Sequence, residues 1–488
     1  MPGQKPLHRV WLPVLLLLLG MWLRASLPWA DMPFDVDEAL YASFARQISH
    51  ENNSLLLGQP VDKPPLSFYI TALSFKLFTN PSEWAARLPD FFASILSMAT
   101  VYALAYRLYR DGATATLALL FLAFSPFDIA FAGTVFTDPQ ITLWILLACL
   151  AASGGRWSLA GVFSGLAFAT KRSAIQFFPL VIILGLIYDS RRDLRKLLNY
   201  AVPLAIISAA PFLWGAARGP DSPDWWALGL INNTPGRLIR SDEIVPRLLT
   251  WLEYLSTGMG GPLLPTLLLA TGMVLLFIAI RNYPRQQAAA ADLALTLTIT
   301  GYLLLYWLVA FNTYDRYLHT LIPLIGLLMA RTLIVLTRWL HRGQTRAAAL
   351  LAGGILLIAM GPGTLQARQG NSLLSEAQNR YNGIRETAEY LNHLPPGTIV
   401  YDHWLGWSLG WYTGQQRPRD MWLRITYYPT PESLAADAQR QPDPQPRYFV
   451  VPAWASGAPW LDTLESAGFR LQTAARPGNF TIYRMEPP

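Results

Sequence analysis

The chain has 488 residues, of which 52% are hydrophobic and only 14% are charged, and its mean hydropathy is +0.27. Since soluble domains carry about 25% charged residues, this composition excludes an ordinary soluble protein. The formal net charge of +7 is typical of short basic loops that orient a membrane protein, and it does not indicate nucleic-acid binding. The single cysteine, Cys149, excludes an intramolecular disulfide and a cysteine-based metal site.

Apolar runs recur along the first three quarters of the chain, and most are long enough to cross the hydrocarbon core of a bilayer. They predict about eleven transmembrane helices. The predicted spans are 10–29, 88–107, 113–131, 137–153, 157–171, 174–189, 198–216, 261–281, 290–311, 317–337 and 347–365. The first run follows a basic N-terminus but has no small-residue cleavage site, so it predicts a retained span rather than a signal peptide.

Basic residues between the spans predict the orientation of the chain. They include Arg107, Arg110, Arg191, Arg192, Arg195, Lys196, Arg281, Arg285, Arg338, Arg342 and Arg346. If the spans alternate, all of them fall on the side of the basic N-terminus, which is then cytoplasmic by the positive-inside rule. An odd number of spans places segments 31–87 and 217–260 and the C-terminus outside. We therefore expect an integral protein of a bacterial plasma membrane.

The last quarter of the chain predicts a small α/β domain on the outer side, residues 366–488, after a transmembrane domain at residues 1–365. Helices are predicted near Glu376–Leu394, Pro431–Arg440 and Trp460–Ala467, and strands at Thr398–Tyr401, Tyr448–Val451 and Phe480–Tyr483.

Acidic residues are concentrated directly after the first span, at Asp31, Asp35, Asp37 and Glu38. Apolar residues at positions 40, 41, 44 and 48 share one helical face, which predicts an amphipathic helix along the membrane interface. Asp37 and Glu38 lie in its first turn. They either cap this helix and meet its dipole, or provide a base for a hydroxyl group.

Two more acidic residues, Asp62 and Asp138, shortly precede a proline. In Asp62-Lys63-Pro64-Pro65 the prolines predict an extended entry into a second amphipathic helix, Leu66–Phe78. Asp62 either starts that helix or forms an acid–base pair with Lys63 on a stiff turn. Asp138 precedes Pro139 at the outer end of the fourth span, where it either occupies an ordinary helix start or belongs to the site.

Two basic features lie at outer span ends, against the positive-inside rule. Lys171 and Arg172 join two short spans, and Arg316 precedes Tyr317 at the start of another. These side chains either extend to lipid headgroups or converge on a cavity, where they would bind a phosphate.

These motifs resemble those of a known family. Asp37-Glu38-x-x-Tyr41 after the first span is similar to the first-loop motif of the membrane-embedded GT-C glycosyltransferases. The later motifs at Asp62-Lys63-Pro64-Pro65, Asp138, Ala169-Thr170-Lys171 and Arg316-Tyr317 extend the resemblance over essentially the whole chain. The strongest likeness is to the protein O-mannosyltransferases and to the aminoarabinose transferases that modify lipid A. The resemblance implies an α-helical polytopic GT-C-like fold.

The resemblance also implies a reaction. The donor would be a monosaccharide on a polyprenyl phosphate, transferred on the outer side of the membrane, usually with inversion. Asp37 would be the catalytic base, with Glu38 and Asp138 also catalytic. The substrate-binding residues would be Tyr41, Asp62, Lys63, Lys171, Arg172, Arg316 and Tyr317. In the aminoarabinose transferases the acidic residue before Lys-Pro contributes to a metal site. Here that residue is Asp62, and segment 217–260 contains no histidine, so a divalent metal ion stays an open alternative.

Other functions stay open at this point. A transporter or flippase of a lipid-linked sugar would also have many spans, but it usually has paired halves and broken helices, and the sequence indicates neither. A relative that uses a diphosphate-linked donor is a second alternative, and a non-catalytic scaffold, which does not require so acidic a first loop, is a third. The chain has no glycine-rich nucleotide loop, which favours a lipid-linked donor. The predicted partners are that donor, membrane lipids and an acceptor that is a protein, a lipid or a glycan.

Overall fold

The computed structural model describes residues 8–25, 32–189, 193–267, 287–340, 345–371, 380–414, 423–441 and 447–486, together with residues 272, 277 and 281. The chain divides into two compact units. The first holds Met1–Ala30 and Ala45–Glu376, and the second holds Asp31–Phe44 and Ala377–Pro488. The predicted boundary after residue 365 falls inside the helix Thr345–Arg368.

Helices dominate the first unit. They are α1 (His8–Ala25), α3 (Leu66–Leu77), α4 (Glu83–Tyr109), α5 (Gly112–Ala123), α6 (Pro126–Ala132), α7 (Asp138–Ser153), α8 (Trp157–Thr170), α9 (Phe178–Tyr188), α10 (Leu194–Ala217), α11 (Trp225–Asn233), α12 (Ile244–Gly258), α13 (Gln287–Leu308), α14 (Leu321–Leu340) and α15 (Thr345–Arg368). Helix α2 (Val36–His50) contributes to both units. Three short 3-10 helices interrupt this series, at Arg172–Phe177, Ser241–Glu243 and Asp315–Leu318.

Five of these helices are long and apolar enough to cross a bilayer, or six if the bent pair α5–α6 is one span. The chain is therefore an integral membrane protein. Shorter apolar helices occur at Trp11–Ala25, Leu66–Leu77, Asp138–Ser153, Trp157–Thr170 and Arg172–Tyr188. The total of eleven spans stays a prediction, and the predicted span 261–281 lies partly outside the described residues. The two predicted amphipathic helices in the first loop correspond to α2 and α3.

The predicted span 113–131 corresponds to α5 and α6, which together are long and apolar enough for one span but are bent by 54° at a break that was not predicted. Ser125 caps the N-terminus of α6, accepting a hydrogen bond from the Asp128 backbone at 3.3 Å, and Pro126 follows. Since proline has no N–H, it cannot continue the hydrogen bonding of α5. At the break, the carbonyl oxygens of Leu122 and Ala123 accept hydrogen bonds of 2.7 and 3.1 Å from the Arg24 guanidinium.

Helices α8 and α10 pack closely through two glycines spaced four residues apart. A Cβ atom at Gly161 would overlap the backbone oxygen of Tyr200, and one at Gly165 would lie 2.7 Å from the Ile207 Cβ. Small residues at this spacing let helices approach closely in membranes. The Tyr200 hydroxyl also donates to Ser164 Oγ at 3.1 Å. This packing fixes the helix that ends just before Lys171.

The second unit contains a five-stranded sheet. Its strands are β1 (Ile399–Asp402), β2 (Arg424–Tyr427), β3 (Arg447–Pro452), β4 (Arg470–Ala475) and β5 (Phe480–Glu486), in the order β2-β1-β3-β5-β4. Strand β1 is parallel to β2 and β3, whereas β5 is antiparallel to β3 and β4. The tail helices are α16 (Ile384–Asn392), α17 (Gly406–Gly414), α18 (Pro431–Arg440) and α19 (Ala458–Ser466). All six predicted tail elements occur, although α16 begins at Ile384, after a turn at residues 380–383, and is shorter than the helix predicted near Glu376–Leu394. Helix α17 and strands β2 and β4 were not predicted.

Candidate functional site

The first part of the site is an ion pair between two loop-adjacent residues. Asp138 is the first residue of α7, and its N-cap residue, Thr137, makes no side-chain capping bond. Lys171 lies in extended backbone at the C-terminal end of α8. The Lys171 Nζ donates to Asp138 Oδ1 at 2.6 Å, and both side chains are largely buried. Asp138 therefore orients the Lys171 ammonium.

A second carboxylate lies on the proline-stiffened turn before α3. Asp62 Oδ1 lies 3.0 Å from Lys63 Nζ, while Oδ2 accepts hydrogen bonds from Asn232 at 3.3 Å and Asn233 at 3.2 Å. Burial by itself would raise the pKa of Asp62, but Lys63 and the two amides outweigh it and lower the pKa below its usual value. Asp62 is therefore negatively charged at neutral pH.

Arg172 contacts the helix that carries these amides. Its guanidinium donates to the Gly229 oxygen at 2.5 Å and to the Trp226 oxygen at 3.5 Å, and lies 5.1 Å from the Trp226 ring centroid. A Cβ atom at Gly229 would overlap the Asp62 backbone oxygen and lie 3.0 Å from Arg172 Cζ. This position therefore needs glycine, because the turn, the helix and the guanidinium meet there.

Arg316 and Tyr317 lie on the 3-10 helix Asp315–Leu318. The Arg316 guanidinium carbon lies 4.8 Å from the Phe136 ring centroid and 4.5 Å from that of Tyr314. Lys171 Nζ lies 5.3 Å from the Tyr317 ring centroid. The positive charges of Arg316 and Lys63 also lie near Lys171.

Some of these side chains line a cavity of about 230 Å³ in the first unit. Its polar lining includes Asp62, Lys63, Lys171, Arg172, Asn233 and Tyr317, and its apolar lining includes Phe168, Trp226 and Phe311. Three of these groups are cationic and one is anionic. Gln176 also lines a second, apolar groove of about 480 Å³, between α9 and α13. A cationic cavity therefore adjoins an apolar groove.

Asp37, Glu38 and Tyr41 lie in the part of α2 that belongs to the second unit. Glu38 and Asp35 cap the helix reciprocally: Asp35 Oδ1 accepts from the Glu38 backbone at 2.7 Å, and Glu38 Oε2 accepts from the Asp35 backbone at 3.2 Å. Tyr41 is buried, whereas Asp37 is partly exposed. Burial and the charges of Asp35 and Asp37 raise the pKa of Tyr381. The remaining seven predicted residues, namely Asp62, Lys63, Asp138, Lys171, Arg172, Arg316 and Tyr317, cluster in the first unit.

The site residues do not form an evident metal centre. Within the ranges that the structure describes, no three histidine, cysteine, aspartate or glutamate side chains are grouped so as to hold a metal ion. Asp62, the position that the resemblance links to a metal, meets an ammonium and two amides instead.

Sequence reasoning missed four residues of the site: Trp226, Gly229, Asn232 and Asn233. Neutral polar and aromatic residues in a segment between apolar runs have no distinctive pattern. Gly229 is the exception, because an isolated glycine inside a helical run usually has a packing or functional reason.

Comparison with known proteins gives consistent results. The sequence profile of the dolichyl-phosphate-mannose-protein mannosyltransferases matches residues 62–214. A relative from Pseudomonas savastanoi pv. phaseolicola, named undecaprenyl phosphate-alpha-4-amino-4-deoxy-L-arabinose arabinosyl transferase, is 30% identical over 207 residues, which cover 39% of this chain and 38% of the relative. The protein of the same name from Pseudomonas paraeruginosa is 26% identical over 314 residues, covering 61% and 54%. The chain thus matches between about a third and about half of the length of these relatives.

The fold is similar to that of solved membrane proteins. ArnT from Cupriavidus metallidurans in the apo state aligns with a TM-score of 0.67 and 16% identity, covering 97% of each chain. The same protein bound to undecaprenyl phosphate aligns with a TM-score of 0.66 and 16% identity, covering 98% of each. The oligosaccharyltransferase of Archaeoglobus fulgidus in its apo form aligns with a TM-score of 0.59 and 14% identity, covering 96% of this chain and 70% of that one.

Proposed function

We propose that this protein transfers a monosaccharide from an undecaprenyl-phosphate-type donor to an acceptor on the outer side of the membrane. The chain resembles the GT-C membrane glycosyltransferases in sequence and in fold. The observation that supports this function is the cavity lined by Lys63, Lys171 and Arg172, which adjoins an apolar groove. A lipid phosphate needs both features, because its headgroup is anionic and its tail is apolar.

The cationic residues suit the leaving group of such a reaction. When the sugar leaves, negative charge develops on the polyprenyl phosphate, and fixed positive groups stabilise that charge most where water is excluded. Lys171 is held by Asp138 at 2.6 Å, so it would not need to reorganise during the reaction. Arg172 and Lys63 would contact the other phosphate oxygens, and Arg316 would add positive charge beside Lys171.

The lipid tail would lie in the groove between α9 and α13. This groove is lined mainly by aliphatic side chains, including Ile183, Ile187, Leu293 and Leu297, and Gln176 lies at the point that it shares with the cationic cavity. Its lining suits an isoprenoid chain, which offers no polar group to bind.

Asp37 would be the base that accepts the proton of the acceptor hydroxyl. It is partly exposed in the first turn of α2, whereas the neighbouring Glu38 is engaged in the helix cap. The two adjacent acids would thus differ in role, with Glu38 fixing the helix start and Asp37 meeting the acceptor. The acceptor would be a protein, a lipid or a glycan.

The alternative function is transport of the same lipid. One structural feature favours it, the broken helix pair α5–α6. In transporters, broken helices usually line a substrate path. Here the carbonyl groups of Leu122 and Ala123 at the break bind Arg24, whose side chain is fully buried. The break is therefore closed by protein, which favours the transferase.

The test is transfer of a labelled sugar by purified protein in detergent. We expect label to pass from undecaprenyl phosphate carrying a radiolabelled monosaccharide to an acceptor in an envelope extract, and no label to pass from the corresponding sugar nucleotide. Lys171→Ala should weaken donor binding roughly 10- to 150-fold, because charged hydrogen bonds have this strength. The matched control is Lys76→Ala, since Lys76 is exposed on α3. Transfer from the nucleotide, or binding of the lipid donor without any transfer, would contradict the proposal.

A further inference from the structure

A buried polar network lies behind the candidate site in the first unit. Arg24 donates to Asp128 Oδ2 at 2.6 Å and to Ser94 Oγ at 2.6 Å, and Ser94 donates to the same carboxylate oxygen at 2.5 Å. The side chains of Arg24 and Asp128 are at most 1% exposed. Helices α1, α4 and α6 are therefore joined at one carboxylate.

His319 extends this network towards the candidate site. Its Nδ1 lies 2.9 Å from Thr142 Oγ1, and its Nε2 lies 3.4 Å from Asp128 Oδ1. Both the histidine and the aspartate are buried. The ring also contacts Phe131 edge-on, with the centroids 5.5 Å apart. One imidazole thus contacts both α6 and α7.

Each ring nitrogen of His319 faces one oxygen atom. Nδ1 forms a hydrogen bond with Thr142 Oγ1, which itself lies 3.1 Å from Thr320 Oγ1. Nε2 lies beside the Asp128 carboxylate. The imidazole is therefore bound to α7 on one side and lies against α6 on the other.

The position of His319 in the chain connects the network to the cationic residues of the candidate site. Its backbone N–H donates to the Arg316 carbonyl at 3.0 Å, directly after the 3-10 helix that carries Arg316 and Tyr317. Thr142 lies one helical turn after Asp138, the partner of Lys171. Phe136, over which Arg316 lies, follows α6. The segments that carry Arg316 and Asp138 therefore meet at this one imidazole, together with α6.

We propose that His319 is a positioning residue, which fixes Arg316 relative to the Asp138–Lys171 pair by joining the 3-10 helix Asp315–Leu318 to α6 and α7. This inference rests on the proposed function, because it assigns the cluster to the donor phosphate. His319 itself would touch neither donor nor acceptor. Its loss would loosen the spacing of the cations and weaken donor binding, while the reaction of bound donor would change less.

The test measures binding of undecaprenyl phosphate to the full chain in detergent, by tryptophan fluorescence. His319→Ala should weaken binding roughly 3- to 30-fold, the range for coupling through a packed network. His319→Asn, whose amide can reach Thr142 but not Asp128, should restore part of the loss. Adding Arg316→Ala to His319→Ala should weaken binding by less than the product of the two single effects, because both changes act on one contact.

Two further variants keep the inference testable. If His319→Ala does not fold, Thr142→Val removes the hydrogen bond to His319 without changing the shape of the side chain. Thr142→Val should then also weaken binding of undecaprenyl phosphate. Tyr109→Phe is the matched control, since it removes a buried hydrogen bond of 2.8 Å to Asp292 outside this network. It should lower thermal stability and leave binding unchanged.

Three outcomes would overturn the inference, and they are distinguishable. If the unaltered protein binds no undecaprenyl phosphate, the proposed function fails and the inference fails with it. If the unaltered protein binds and folded His319→Ala or Thr142→Val binds equally well, the inference alone fails. Fully additive effects of His319→Ala and Arg316→Ala would mean that the histidine only stabilises the fold.

Discussion

At the scale of single residues, the candidate site combines carboxylates that are already satisfied with cations in excess. Asp138 holds Lys171, and Asp62 is shared by Lys63 and two asparagine amides. Arg172, by contrast, is bound by backbone carbonyl oxygens of α11. The cavity is therefore positive overall, which favours an anionic ligand. The cations are also held in place before a ligand arrives, which limits the entropy lost on binding.

The acid in the first turn of α2 gives a test of catalysis. Asp37→Asn keeps the size of the side chain but removes its charge, so sugar transfer should fall at least about 100-fold, the usual contribution of acid–base catalysis. Binding of undecaprenyl phosphate should be unchanged. The matched control is Asp35→Asn, because an asparagine oxygen can still accept from the Glu38 backbone. Near-normal turnover by Asp37→Asn would show that Asp37 only caps the helix.

The sequence predicted the charged residues of the site because charges beside apolar runs are unusual. Asp62, Lys63, Lys171 and Arg316 could each be identified in this way. Their partners could not, since asparagine, histidine and glycine are common in loops and carry no charge pattern. His319 is an example: it follows Arg316 by three residues, yet its contacts with Thr142 and Asp128 depend entirely on tertiary packing.

At the scale of elements, helix α11 closes one side of the cavity. It presents Asn233 to Asp62, and its carbonyl groups at Trp226 and Gly229 to Arg172. The approach is close enough that Gly229 has no room for a side chain. The position of α11 therefore controls two polar contacts of the site together.

This close approach predicts the effect of one methyl group. Gly229→Ala should push α11 away from Asp62 and Arg172, because overpacking a tight contact costs about 1–3 kcal/mol. We expect a lower unfolding temperature and undecaprenyl phosphate binding weakened about tenfold. Gly236→Ala is the control in the same segment, since nothing lies within 4 Å of a Cβ atom there. Equal behaviour of the two variants in both measurements would show that α11 does not form part of the site.

Elements in the centre of the fold were predicted more accurately than those at its edges. The central strands β1, β3 and β5 were predicted from their apolar residues, whereas β2 and β4 are the edge strands of the sheet and are more exposed. Helix α17 contains three glycines, so its intrinsic propensity is low and its packing decides its structure. The break between α5 and α6 does have a sequence signal, Ser125-Pro126, but the apolar run around it dominated the prediction.

At the scale of the whole molecule, the chain combines a helical membrane unit with a mixed α/β unit. The predicted orientation assigns the α/β unit to the outer side, because the basic loops are predicted to face the cytoplasm and the predicted number of spans is odd. This assignment matters for the mechanism, since the lipid-linked sugar would then be used where no sugar nucleotide is present.

A reporter fusion tests this orientation. A reporter that is active only outside the cytoplasm, fused after Pro488, should be active if the predicted topology is correct. The same reporter fused after Lys196, in a predicted cytoplasmic loop, should be inactive. An expressed but inactive fusion at Pro488 would reverse the assignment for every residue of the proposed site.

The ion pair between Arg24 and Asp128 has a consequence for biosynthesis. The two residues are 104 positions apart, so the ribosome makes the arginine well before its partner. Until α6 emerges, the Arg24 guanidinium in the first helix lacks the Asp128 carboxylate. It also lacks its hydrogen bonds to the carbonyl groups of Leu122 and Ala123 until α5 has formed. A lone arginine is unfavourable in lipid. We therefore expect the nascent first helix to stay beside the translocon, or near the headgroups, until the first six helices can assemble together.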